Sequence, residues 1–91
     1  MKPTLVLVAD GTSPLEALRP AICTASASGQ DRIAIDIDGL AEFDVSDVRN
    51  LIALLRIARD RGTNLALRVA SPERRRTLRD MGLDRVFAIV A

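Results

Sequence analysis

The chain contains no histidine, tyrosine or tryptophan, and only one cysteine and one lysine among its 91 residues. Without histidine, the commonest general base and the commonest zinc ligand are missing. Serine and threonine hydroxyls are plentiful, but no imidazole is present to activate them. Cys23, the lone thiol, excludes an internal disulfide and suits a reducing cytosol. It reads as a small buried hydrophobe on a helix, with Arg19 the only cation near it in sequence. With Phe43 and Phe87 the only aromatics, stacking platforms for single-stranded nucleic acid are not expected. Lys2 is the only lysine, and neither Gly11-Thr12-Ser13 nor Gly39-Leu40-Ala41 has the spacing of a phosphate-binding loop. Little remains for ordinary enzyme chemistry, and no cofactor is implied. A net charge of +1 sets up no global field for nucleic acid or an anionic membrane. The longest basic run, Arg74-Arg75-Arg76, reads as the wet face of a helix. The apolar run at Leu5–Ala9 is too short to cross a bilayer and lacks the h-region of a signal peptide.

What is present is a globular mixture, 48% hydrophobic and 27% charged, at a length that fits one domain over residues 1–91. Leu5–Val8 reads as a strand covered on both faces. After the Gly11–Pro14 turn, Leu15, Leu18, Ile22 and Ala25 recur at helical spacing. Either Ser13 caps a helix that Pro20 kinks, or Ser13–Arg19 is irregular and the helix starts near Pro20. Arg32–Ile37 is a second strand, with Ile33, Ile35 and Ile37 on one face and Ala34 and Asp36 on the other. Such a strand is central if Asp36 finds donors. The longest helix runs from about Val45 to Arg61 and stops at Gly62, with Val48, Leu51, Ile52, Leu55 and Ala58 as its apolar stripe. Leu54 and Ile57 widen that stripe, either to complete the core or to meet a partner. Thr63–Ala70 gives a third strand. Ser71-Pro72-Glu73 caps a short helix with Leu78 and Met81 inward, Gly82 ends it, and Leu83–Ala91 closes as a strand. Alternation of this kind predicts an α/β fold with a mixed, mostly parallel sheet of about four strands and about three helices.

The most informative stretch is the strand, loop and helix start from Ile33 to Leu55. Asp36, Asp38, Glu42, Asp44 and Asp47 gather near a strand's C-terminal end, where open α/β sheets place ligand sites. A Mg²⁺ site from these carboxylates is chemically reasonable, but no phosphate cradle accompanies them. The reading adopted is that Asp44 caps the helix by accepting from the Asp47 amide, while Asp47 adds charge in the first turn.

The ordered pieces resemble the STAS domain family of anti-sigma factor antagonists and transporter modules. They are Ile33-Ala-Ile-Asp-Ile-Asp-Gly-Leu, Phe43-Asp-Val-Ser-Asp-Val48, Leu51-Ile-Ala-Leu-Leu-Arg, Arg61-Gly62, Leu65-Ala-Leu-Arg-Val, Ser71-Pro-Glu-Arg-Arg and Met81-Gly-Leu. The match is strong from Ile33 to Leu83 and weak before it. The family often has an extra edge strand at the front, and Asp10-Gly11-Thr12-Ser13 stands only loosely for its Gly-x-x-Asp loop. In the family's kinase-regulated members the residue after the Asp is the phosphorylated serine. Here that residue is Val45, followed by Ser46 and by Asp47 in place of the family's Gly. The switch is therefore absent or moved to Ser46, the possible phosphoacceptor; the alternative is that Ser46 is simply an early-helix hydroxyl.

The resemblance implies a cytoplasmic, protein-binding regulatory module. Its partner would be an anti-sigma factor, in some cases a serine kinase, sequestered so that a sigma factor is freed. The alternative is the cytoplasmic STAS subunit of a membrane transport complex, bound to the transporter's ATPase subunit. The expected partner-binding residues are Asp10, Thr12, Ser13, Phe43, Asp44, Val45, Ser46, Asp47, Arg49 and Asn50.

Overall fold

The apolar, β-branched runs become strands and the 3.6-period runs become helices. In the computed structural model, which describes residues 3–91, β1 (Leu5–Asp10) leads through a 3-10 turn (Leu15–Leu18) into α1 (Arg19–Ala27). β2 (Arg32–Gly39), α2 (Val45–Asp60), β3 (Asn64–Arg68) and α3 (Pro72–Asp80) follow. A second 3-10 turn (Leu83–Arg85) precedes β4 (Ala88–Val90). Lys2 lies outside the described residues. Among those described, the sheet has four strands in the order β1-β2-β3-β4, and every pairing is parallel, so the expected mixed character is absent.

This order carries a strong constraint. Each crossover steps to the next strand in the same direction, and parallel crossovers are right-handed. All the helices therefore lie on one face. Ile33, Ile35, Ile37, Leu65, Leu67 and Val69 point to that face and are buried in one core with Leu15, Ile22, Leu51, Leu55 and Leu78. β1 departs from the expectation of cover on both faces. It is an edge strand, and Leu5, Val6 and Val8 are all exposed. β2 is central as expected, with the Asp36 carboxylate accepting from the Asp38 amide at 3.0 Å.

Local chemistry explains the boundaries. Pro20 falls in the first turn of α1, where its missing N–H is harmless. The α-helix accordingly begins beside Pro20, and Ser13 makes no side-chain cap for the turn before it. Leu54 is 3% exposed and belongs to the core, while Ile57 packs against the core half-buried, so a partner patch built on Leu54 is excluded. Met81 was expected inward but is 42% exposed, because α3 ends at Asp80 and Gly82 turns the chain away with φ +76°. The closing strand is also shorter than expected. Leu83–Arg85 coils as a 3-10 turn that buries Leu83, leaving three residues to pair with β3. At the opposite end of the sheet, buried Thr63 donates to the Gln30 carbonyl (3.0 Å). A hydroxyl carries one proton, so Ser26 Oγ is the donor in its 2.8 Å contact with Thr63.

At the C-terminal ends of β1 and β2, after a register shift, Asp10 stands opposite Gly39. A Cβ at Gly39 would lie 3.0 Å from the Asp10 Cβ and 3.2 Å from the Ala9 carbonyl oxygen. Gly39→Ala should therefore lower unfolding free energy by about 1–3 kcal/mol through overpacking against backbone. Gly11→Ala, whose Cβ meets nothing within 4 Å, should stay within about 0.5 kcal/mol of the parent. Urea denaturation of the two variants checks the contrast.

Candidate functional site

Two loops meet at the C-terminal edge of the sheet: 11–14 after β1 and 40–44 after β2. In the first, Asp10 Oδ1 accepts from the amides of Ser13 (2.8 Å) and Thr12 (2.9 Å), folding the chain over its own carboxylate. The Asp10 amide in turn donates to the Ser13 carbonyl at 2.9 Å. The two backbone donors, Ser13 first and Thr12 second, hold the Asp10 carboxyl below the ordinary aspartate range.

In the second loop, the start of α2 is closed by a reciprocal pair. The Asp47 amide donates to Asp44 Oδ1 (3.2 Å), and the Asp44 amide donates to Asp47 Oδ2 (2.9 Å). This is the capping-box arrangement with Asp at both positions. The sequence reading placed the first bond and missed the second, although the Asp-x-x-Asp spacing carries its signal. The box leaves Val45 and Ser46 at the first two helical positions, facing out, with Val45 63% exposed. Asp44 and Arg49 are also exposed, and Asp47 is partly buried. Asn50, one turn on, donates to Glu16 Oε2 at 3.2 Å and ties α2 to the turn that follows the Asp10 loop.

A third element fixes the loop from below. The Asp38 carboxylate leaves β2 and accepts from the amides of Ala70 (2.8 Å) and Ser71 (3.3 Å) beyond β3. Ser71 Oγ accepts from the Arg74 amide, capping α3 as the Ser-Pro signal predicts. The Arg74 side chain then reaches back: Nη2 donates to the Leu40 carbonyl at 2.7 Å, and the guanidinium sits 5.6 Å from the centre of the Phe43 ring. Phe43, expected as an apolar contact, is half-buried against the core beneath this arginine. The Arg74–Arg76 run is thus not simply a wet face. Arg74 and Arg75 are half-buried, and Arg75 Nε donates to the Val69 carbonyl at 2.7 Å. Sequence reasoning missed Arg74 as a site residue because its partner carbonyl lies 34 residues away.

Of the ten expected contact residues, all lie on these two neighbouring loops and the first turns of α2. Thr12, Asp44, Val45, Ser46 and Arg49 offer exposed surface, while Asp10, Ser13, Phe43, Asp47 and Asn50 are partly covered. Four carboxylates of the acidic cluster accept backbone amides: Asp36 from Asp38, Asp38 from Ala70 and Ser71, and Asp44 and Asp47 from each other, while Glu42 is exposed. No group of three or more metal-ligating side chains occurs among the described residues. The described helices include none long and apolar enough to cross a membrane.

A parallel sheet with helices on one face, carrying a rigid and mainly acidic corner at its C-terminal edge, defines an α/β scaffold of the kind that presents a surface. The chain belongs to the STAS domain family: the family model described as "Mlab, STAS domain" matches residues 6–91. No curated protein matches it.

The Asp10 turn has a pH signature. A carboxyl whose value is lowered on folding stabilises fully above the ordinary aspartate range and loses that contribution as pH falls through the lowered value. In an NMR titration, the Asp10 carboxyl and the Thr12 and Ser13 amides should share one midpoint below the ordinary aspartate range. An ordinary midpoint would mean that the turn does not hold in solution.

Proposed function

We propose that this STAS domain is a protein-docking regulatory module that works without chemistry of its own. It engages a partner through Val45, Ser46 and the Asp44–Asp47 cap, with Thr12 and Arg49 at the margins. In the anti-sigma factor antagonist reading, the partner is an anti-sigma factor, and its capture frees a sigma factor in the cytoplasm. The observation that carries the docking reading is the exposure of Val45 at the first turn of a helix whose end is otherwise closed. An apolar side chain held out by a rigid cap suits the desolvated centre of a small interface, and the carboxylates and Arg49 around it suit a charged rim.

A second reading has one specific observation in its favour. Valine cannot accept phosphate, and Ser46 is flanked by the paired carboxylates of Asp44 and Asp47. A helix N-terminus ordinarily tolerates a phosphate, but a dianion set between two carboxylates meets like-charge repulsion. A corner that resists phosphorylation favours constitutive assembly, as expected of the STAS subunit of a membrane transport complex bound to its ATPase subunit.

Val45→Glu tests docking directly. It should cut recovery of the co-purifying partner by about tenfold or more, as for an apolar anchor, while exposed Arg56→Ala on α2 changes little. Mass spectrometry of the partner separates an anti-sigma kinase from a transport ATPase. Undiminished recovery with Val45→Glu would remove the corner from the interface.

A further inference from the structure

The same handedness that gathers the helices on one face leaves the other face of the sheet without a helix over it among the described residues. Its side chains fall into register rows. One row runs Val6, Ala34, Ala66, Ala88 across the four strands, and the next runs Val8, Asp36, Arg68, Val90. Arg32 and Asn64 form the row before them. The three alanines make a low floor, so low that Ala34 is 3% exposed although no helix covers it. A groove of about 330 Å³ lies over this floor, walled by Val6, Arg32, Arg68 and Val90.

The charges around the groove point to one kind of occupant. The guanidinium groups of Arg32 and Arg68 make no hydrogen bond or ion pair with other described residues, and both residues are exposed. The carboxylates on this side of β2, Asp36 in the next row and Asp38 beyond it, accept backbone amides and do not line the groove. The charged side chains that line the groove, Arg32 and Arg68, are therefore both cationic. Arg32 and Arg68 stand four residues apart along adjacent strands, which is about 13 Å. That separation matches about two turns of an α-helix. The face is about 14 Å wide from β1 to β4, room for one helix of about 10 Å diameter. A second copy on the same face would bring four unpaired arginines together.

We propose that this bare face is a second docking surface, independent of the Asp44–Asp47 corner, and that its occupant is an acidic amphipathic helix of a partner protein. The helix lies along the strands. Its small apolar stripe rests on the alanine floor between Val6 and Val90, and glutamates about two turns apart meet Arg32 and Arg68. Bound there, it completes a three-layer sandwich.

The test uses the whole chain and a synthetic, fluorescein-labelled helical peptide of about 18 residues, with an alanine-leucine stripe flanked by two glutamates about two turns apart. Fluorescence anisotropy should show saturable binding. Arg32→Glu combined with Arg68→Glu should weaken it at least about tenfold, with circular dichroism confirming the fold. Arg32→Lys combined with Arg68→Lys should retain most of it. Val45→Glu should leave it unchanged, which separates this surface from the corner. The proposal is overturned by absence of saturable binding, or by equal binding of the charge-reversed variant. Equal binding of a peptide with the glutamates moved opposite the stripe overturns it too, as does preferential binding to phosphatidylglycerol vesicles.

Discussion

Four parallel strands laid down in chain order, each crossover right-handed and each step in the same direction, is the constraint on which the rest of this structure depends. It forces every helix onto one face and every β-to-α loop onto one edge. The Asp10 loop and the 40–44 loop become neighbours because β1 and β2 are adjacent, in register as far as Val8 and Asp36, with a shift before Asp10 meets Gly39. A chain this short has one thin core, in which the isoleucine and leucine face of β2 and β3 is buried together with leucines of α2. The Asp44–Asp47 corner is built where that core ends.

The corner is held by backbone amides. Asp10, Asp38, Asp44 and Asp47 each place a carboxylate on main-chain donors, so three of the five carboxylates weighed as a Mg²⁺ site, Asp38, Asp44 and Asp47, act as loop staples together with Asp10. Their donors come partly from the same turn and partly, for Asp38, from across the sheet. Arg74 adds a clamp over the Leu40 carbonyl and the Phe43 ring. In the proposed docking role, the hydrogen-bonded cap beneath Val45 and Ser46 would lower the entropic cost of association.

What was legible in the sequence follows from the range of each interaction. The Asp44 cap, the Ser71-Pro72 start of α3 and the stops at Gly62 and Gly82 involve neighbours within a turn, and the residue types alone announce them. The alternation of strands and helices is equally plain from hydrophobic period. Contacts across the sheet left no such mark: Arg74 to Leu40, Asp38 to Ala70 and Asn50 to Glu16 join residues more than thirty positions apart. The bare face was also hidden. Leu-Val-Leu-Val in β1 reads as apolar on both sides, and only the strand order reveals that one side has no helix above it. Met81 and β4 were misplaced because a glycine stop and a 3-10 turn compete with the strand for the last nine residues.

The central claim is that the edge bearing Val45 is where this STAS domain meets its partner. Site-specific photo-crosslinking in the native cell tests it most directly, with a benzophenone side chain in place of Val45 and, as control, in place of Arg56 on the exposed side of α2. A single covalent adduct from position 45 and none from position 56 is the predicted outcome. Adducts from position 56 alone would place the interface elsewhere and contradict the account.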